Sequence, residues 1–493
     1  CDKHCNVQNK VITKKGSYSK PSDLKHTVGV KGLSVTVQRS SVDEIPHHHT
    51  QCLCLSSNMN QSDSFTVSKL PSGLLVASLE NYSPVSKIGV FVKAGSRYET
   101  PENLGVTHIL RLASNLTTKG ASAFKICRGL EAVGASLSVT SSREHMVYSL
   151  DCLRDDLFVI YMKDMCFPCS DGVVEYLVNV TTAPDFRPWE LSDLSQRVRI
   201  DKAVADQSPQ IGVLEKLHEA AYKNALSNSL YCPDHMLGKI SVDHLQQFFA
   251  SNYTSARMAL VGLGVSHAAL RQVGERFFST HTGTGAAGAK AVYRGGELRV
   301  QSGGGLVHAL LACEGAAAGS AEANAFSLLQ RILGTGPHVK RGSSITSKLS
   351  QGIAKATAQP FDATAFSATY SDSGLFGVYV ISQADSAREV INAAMAQVTA
   401  VAEGRLTADD LTRAKTQLKS DYLMSLESPE GLLEELGVQV LSSGVYSSPQ
   451  TVAHNIDSVT SADLVKAAKK FVESKKTMSC CGHLANTPFV DEL

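Results

Sequence analysis

Apolar and polar positions alternate along this chain in two registers, and the alternation becomes regular from about residue 65. Leu74 to Leu79 and Ile88 to Val92 read as strands, the second alternating through Ile88, Val90 and Val92, with Asn81 to Pro84 as the turn between them. Gly105 to Asn115 carries one apolar stripe (Val106, Ile109, Leu110, Ala113) and predicts a helix. A second helix is expected over Ala121 to Val133, then strands Ser136 to Thr140 and Met146 to Cys152 across a polar link. Helices dominate to about Ala221. The segment closes on a helical Leu245 to Phe249 and a strand near Met258 to Val261.

The order then repeats. A strand at Leu306 to Cys313 leads to a helix at Ser320 to Leu333. A hairpin follows, Ala365 to Tyr370 and Leu375 to Ile381, turned by Ser371-Asp372-Ser373-Gly374. Helices are expected over Ala387 to Ala402 and after Thr407, which can cap while Asp410 answers from the third position. The closing segments from Ile240 and from Ile456 share a polar entry, an apolar helix stripe, a polar break and a strand opening at Met258 or Met478. That separation of about 220 residues exceeds any solenoid period and fits two homologous halves. The fold class expected is α+β, each half a mostly antiparallel sheet packed with helices. The domains expected are 64–278 and 296–493, joined by a Gly-rich linker at 279–295.

Length and charge narrow the function classes. The chain has 493 residues, room for two to four domains at roughly 100 to 200 residues each. Lys+Arg (47) nearly balances Asp+Glu (46), which gives no overall basic field for nucleic acid or anionic lipid. No apolar run reaches the roughly 18 residues that cross a bilayer. The 12 cysteines are scattered, which favours a reducing or matrix-like compartment over a disulfide framework. Residues 1–63 differ in kind. Positions 1 to 40 hold eight Lys/Arg against two acids, which reads as a leader or transit segment, and a chain opening on Cys1 is expected to have its true start upstream.

Several motifs fail on their surroundings. Gly283, Gly285 and Gly288 make a G-x-G-x-x-G match, but a dinucleotide site needs a preceding strand and a following helix, so the stretch reads as a flexible linker. Gly334-Thr335-Gly336 with Gly342 lacks the Gly-Lys-Ser/Thr ending of a phosphate loop. Cys166 and Cys169 form one Cys-x-x-Cys pair where structural zinc needs four ligands. His47, His48 and His49, beside Pro46, read as a polar loop, and Val490 to Leu493 lacks the Lys of an ER-retention tail. Glu215 and His218, at i and i+3, have no second such pair and read as a surface helix pair.

One constellation stands apart. Gly105-Val106-Thr107-His108-Ile109-Leu110-Arg111-Leu112-Ala113, after "VKAGSRYETPENL", resembles the inverted zinc motif His-x-x-Glu-His of the pitrilysin-like peptidases, the family of the mitochondrial processing peptidase. In that motif two His one turn apart bind zinc, the Glu activates the bound water, and a downstream Glu completes the ligands. Carried onto this chain, the first His is His108, the general-base position holds Arg111 and the second ligand position holds Leu112. Counting back from "HEAAY", the downstream ligand falls at about Asp201. Arg111 cannot accept a proton and would set a fixed cation beside a dication. The four positions therefore read as a degenerate motif: no catalytic residue, no metal, no cofactor.

Longer stretches, among them "LENYSPVSKIGVFVKAGSRYE", "SARMALVGLGVSH" and "NTPFVDEL", resemble a non-catalytic branch of the same family from about Ser64 to Leu493. Residues 1–63 and an apparent insertion at 158–170 depart from it. The resemblance implies a structural subunit, peripheral to the matrix side of the mitochondrial inner membrane. It would pair with a sister subunit of the same fold beneath membrane subunits that carry haem and iron–sulfur centres. It equally admits a role as partner half of a presequence-processing peptidase.

Overall fold

In the computed structural model the described residues are 65–157, 172–278, 283–335 and 347–493. The leader-like 1–63 with His47, His48 and His49, the 158–170 segment with Cys166 and Cys169, residues 279–282 of the linker and most of the Gly334 to Gly342 loop lie outside them. All described residues belong to one compact unit, Met59–Leu493.

Eleven strands among the described residues form two sheets. The first contains β1 (Thr66–Lys69), β2 (Leu75–Leu79), β3 (Val85–Val92), β4 (Ser136–Ser141), β5 (Met146–Leu153) and β6 (Met258–Leu263), in the order β1-β2-β6-β3-β5-β4. The second contains β7 (Gly296–Gln301), β8 (Leu306–Glu314), β9 (Phe361–Thr369), β10 (Gly374–Gln383) and β11 (Lys476–Gly482), in the order β7-β11-β8-β10-β9. With β1 set aside, the wiring is the same. In each sheet the last strand of the half slides between the first and second, parallel to the first and antiparallel to the second. The internal repeat seen in the sequence is thus a repeat of topology.

Local signals placed most elements. Strand β5 alternates buried and half-buried positions, with Met146, Tyr148, Leu150 and Cys152 turned inward. The helix Ala387–Ala402 spans the residues expected, and Ala408–Glu427 opens on a reciprocal cap in which the Asp410 N–H donates to Thr407 Oγ1 and the Thr407 N–H to Asp410 Oδ2. Strands β1 and β7 and the helices Lys348–Ala356, Pro429–Ser443 and Pro449–Ser458 lie outside the elements expected from the sequence.

Strand β3 is buried from Ser86 to Val92, not alternately, because both faces of its sheet are covered. Ile88, Val90 and Val92 face a core built from the first half's own helices. Phe91 faces the other way, packed with Ala77, Ala259 and Val261 against Leu433, Leu436, Val440 and Leu441 of the second half's helix Pro429–Ser443. The reciprocal packing holds on the second sheet. Leu310, Ala312, Leu375 and Tyr379 are covered by Val213 and Leu217 of the helix Pro209–Ala221, with Ala221 and Tyr222. Each half thus closes the other's core.

Polar contacts follow the same seam. The Arg97 guanidinium donates to Glu144 at 2.6 Å, to Asp372 Oδ1 at 2.8 Å and to the Ala289 carbonyl at 2.8 Å, joining three segments that precede β9 to its β9–β10 turn. His218 and Glu215 are not on the surface, as expected from sequence, but at this seam. His218 Nε2 accepts from the Tyr370 hydroxyl at 2.6 Å, and Glu215 accepts from Arg143 at 2.6 Å. Burial, then the nearby Arg143 charge, pushes the imidazole down to about 3, so it stays neutral. Residues Gly283 to Gly295 contain no helix, so the G-x-G-x-x-G match lacks its phosphate-binding element. This stretch is strapped down instead: the Ala286 N–H donates to the Ser251 carbonyl, Ala291 N–H to Asp372 and Arg294 N–H to the Ala221 carbonyl.

The helix exchange has one point with no slack. A Cβ on Gly437 would lie 2.1 Å from the Phe91 ring, whereas one on Gly212, in the reciprocal helix, would meet nothing within 4 Å. Gly437→Ala is expected to lower stability by about 1–3 kcal/mol through overpacking. Gly212→Ala should be neutral or stabilising by up to about 1 kcal/mol. Urea-unfolding midpoints of the two variants check this; equal midpoints would mean that the Phe91 contact yields freely.

Candidate functional site

The candidate site is built on the short helix Val106–Leu112. Its entry requires glycine twice over: Gly105 sits at φ 90°, and a Cβ there would fall 2.7 Å from Cys232. The exposed amides of the first turn are met by Glu99, whose Oε2 accepts from Gly105 N–H at 2.8 Å and whose Oε1 accepts from the Thr107 N–H at 2.8 Å and hydroxyl at 2.6 Å. Asn228 Nδ2 donates to the Ser96 and Glu99 carbonyls, fixing the approach to the helix. Sequence reasoning missed Glu99 and Asn228. Each is a single polar residue in a loop, and only the fold makes it a partner.

Three of the four motif positions meet. His108, fully buried, accepts the Cys232 N–H at Nδ1 (3.2 Å) and donates from Nε2 to Asp201 Oδ2 (2.9 Å). Arg111 Nη2 donates to the same Asp201 oxygen at 2.6 Å. Asp201 comes from the long helix Pro188–Asp206, which also brings Leu194 and Val198 against Leu112. Leu112, at the second ligand position, is therefore packed with apolar neighbours and turned to no polar partner. The Tyr231 ring stands edge-on to His108, 5.5 Å between centroids.

Burial is the largest influence on His108 and lowers its pKa. The neighbouring Arg111 charge pulls the same way, and the bond to Asp201 only partly opposes them. The imidazole is neutral, with its proton on Nε2. For Asp201 burial pushes upward, but the His108 and Arg111 donors outweigh it and hold the carboxylate below its ordinary range. A catalytic zinc needs three protein ligands and an open position. These residues do not fit one. One imidazole nitrogen already takes a backbone proton and the other donates its own, one carboxylate is shared by two donors, and the remaining group is a guanidinium. Among the described residues no cluster of three or more His, Cys, Asp or Glu is arranged to hold a metal ion.

Two repeated α+β halves that cover each other's sheets, with the helix Val106–Leu112 resembling an inverted-zinc helix, define a metallopeptidase scaffold. Residues 75–234 match insulinase (peptidase family M16), and residues 239–418 match the peptidase M16 inactive domain. The chain belongs to the M16 peptidase family. Cytochrome b-c1 complex subunit 2, mitochondrial, of Homo sapiens is 58% identical over 433 residues, covering 88% of this chain and 93% of that protein. Its Mus musculus counterpart is 57% identical over the same length. The probable mitochondrial-processing peptidase subunit alpha-2, chloroplastic/mitochondrial, of Arabidopsis thaliana is 31% identical over 429 residues, covering 86% of this chain and 83% of its own.

Glu99 makes the helix entry pH-dependent. Desolvation raises its pKa to about 7 against the three donors that pull it down, compared with 4.5 when unfolded. Between those values the folded state binds the extra proton, so this group's contribution to stability is full below about 4.5 and is lost as pH rises toward 7. The stability gap between the wild type and Glu99→Gln should therefore narrow over that window, by on the order of 3 kcal/mol at most. Urea titrations at several pH values measure it. A gap that stays constant or widens would show that the donors, not burial, set the proton affinity.

Proposed function

We propose that this chain is a non-catalytic structural core subunit of the mitochondrial cytochrome bc1 complex (ubiquinol-cytochrome c reductase), needed for its assembly and stability. The observation that carries this is the motif helix itself, which is joined to the helix Pro188–Asp206 through Asp201 and Leu112 while an arginine and a leucine stand where a base and a ligand are needed. The 58% identity to the human subunit over nearly its full length supports the same assignment. No helix among the described residues is long and apolar enough to cross a membrane. In this reading the chain sits peripherally on the matrix side of the inner membrane. It pairs with core protein 1 and contacts cytochrome b, cytochrome c1 and the iron–sulfur protein through the assembled complex. It binds no nucleic acid and holds no cofactor. Its contribution to electron transfer is indirect: a subunit bound only to the folded complex stabilises that complex by mass action. The domain division that goes with this reading is a leader at 1–63, peptidase-like halves at 64–278 and 296–493, and the linker 279–295.

The 31% identity to a processing-peptidase alpha subunit favours a second reading, in which the chain is the inactive partner of a presequence-processing metallopeptidase and the metal lies on the other subunit. The Gly334 to Gly342 loop would then handle substrate, although His338, Lys340 and Arg341 are ill-matched to a basic presequence.

Native purification separates the two. The chain is expected to travel with cytochrome b and the iron–sulfur protein through detergent extraction and size exclusion. A chain recovered only as a soluble pair that cleaves presequence peptides would establish the second reading and sink the first.

A further inference from the structure

The Asp201 carboxylate joins three separate parts of the first half. One of its oxygens accepts from His108 and from Arg111, both on the helix Val106–Leu112, while the carboxylate itself rides on the helix Pro188–Asp206. Through His108 the link continues to the Cys232 amide in the loop beyond. In the inverted zinc motif these same helices would be joined by a dication. Here the charges close without one: one carboxylate, one guanidinium and a neutral imidazole. The neighbouring cation is otherwise engaged, since Lys202 Nζ pairs with Asp234 at 2.5 Å. Arg111 Nε is buried without a hydrogen-bond partner, so the side chain's one strong anchor in the cluster is Asp201.

We propose that Arg111 is the resident cation of this junction: its guanidinium takes over the bracing that a bound metal supplies where the motif is intact, and by the same charge excludes a metal. The proposal rests on the non-catalytic reading of the site and adds what replaced the ion. A dication entering here would have to break the 2.6 Å Arg111–Asp201 bond, remove the Nε2 proton or the Cys232 amide from His108, and then lie beside a fixed positive charge. Each requirement opposes binding, and removal of Arg111 leaves Asp201 with one neutral donor.

The test uses the purified full-length chain and four forms: wild type, Arg111→Gln, Arg111→Lys, and Arg111→Glu combined with Leu112→His. After equilibration with zinc and desalting, metal content is read by mass spectrometry and melting temperature is read with and without zinc. Wild type is expected to retain far less than one zinc per chain and to show no zinc-dependent shift. Arg111→Gln should melt lower than wild type, and Arg111→Lys should recover part of the loss, because a point charge can still face Asp201. The double variant should retain about one zinc per chain and melt higher in its presence. The proposal is overturned if wild type holds stoichiometric zinc, if Arg111→Gln melts with wild type, or if a folded double variant takes up none. Should the double variant fail to fold, the Gln and Lys forms and the wild-type metal content still decide. None of these readouts depends on co-purification with membrane subunits, so failure here and failure of the functional assignment remain distinct.

Discussion

Both sheets are apolar on two faces, and each half's own helices cover only one of them. The uncovered face of the first sheet, with Phe91 at its centre, meets Leu433, Leu436 and Val440; that of the second, with Leu310 and Ala312, meets Val213 and Leu217. A buried Leu or Val is worth about 1.5–3 kcal/mol relative to its exposed state, as an upper estimate. Pulling the halves apart would expose two such layers at once. This exchange explains why the described residues form one compact unit despite being a repeat. It also sets the tolerance at Gly437, where an added Cβ would meet the Phe91 ring.

The polar seam depends on that packing and sharpens it. Arg97, nearly buried, reaches Glu144, Asp372 and the Ala289 carbonyl only because the β9–β10 turn is brought to it by the packed helices. A buried guanidinium is tolerable when its charge is paired and costly where donors go unused; here Nη1 and Nη2 are paired and the buried Nε has no partner among the described residues. The seam therefore contributes register more than net stability. It permits one relative placement of the halves, in which the strap Gly283 to Gly295 runs alongside and accepts and donates at fixed points. In that placement the helix Pro209–Ala221 both carries His218 to Tyr370 and covers the second sheet.

What was legible in the sequence follows from where each signal resides. Local period and capping placed the Ala387–Ala402 helix, the Thr407 cap and the β9–β10 hairpin, because those features are decided within a dozen residues. The repeat was legible because both halves use the same strand order. The helix exchange was not: an apolar stripe at Leu433, Leu436 and Val440 can mark a helix but cannot say whose sheet it covers. For the same reason Glu215 and His218 looked like a surface pair, since nothing in their spacing reveals the Arg143 and Tyr370 that meet them. Of the motif positions, His108, Arg111 and Leu112 were fixed by alignment to a pattern, whereas Asp201 came from counting alone and its contact with His108 came from the fold.

The partly exposed Asp201 carboxylate and the fully buried His108 imidazole face each other across two helices, and a buried polar group is costly unless satisfied. In this chain each finds a protein partner: Asp201 has Arg111, and His108 has Asp201 on one side and the Cys232 amide on the other. Leu112 in turn fills space between the two helices with apolar volume that a ligand imidazole would have left polar. Arginine places a cation against Asp201, and leucine joins Leu194 and Val198 in apolar contact between the helices. A scaffold whose purpose is to hold its shape gains from both, because a junction closed by side chains is present in every folded copy of the chain, whereas one closed by an ion depends on the ion's concentration.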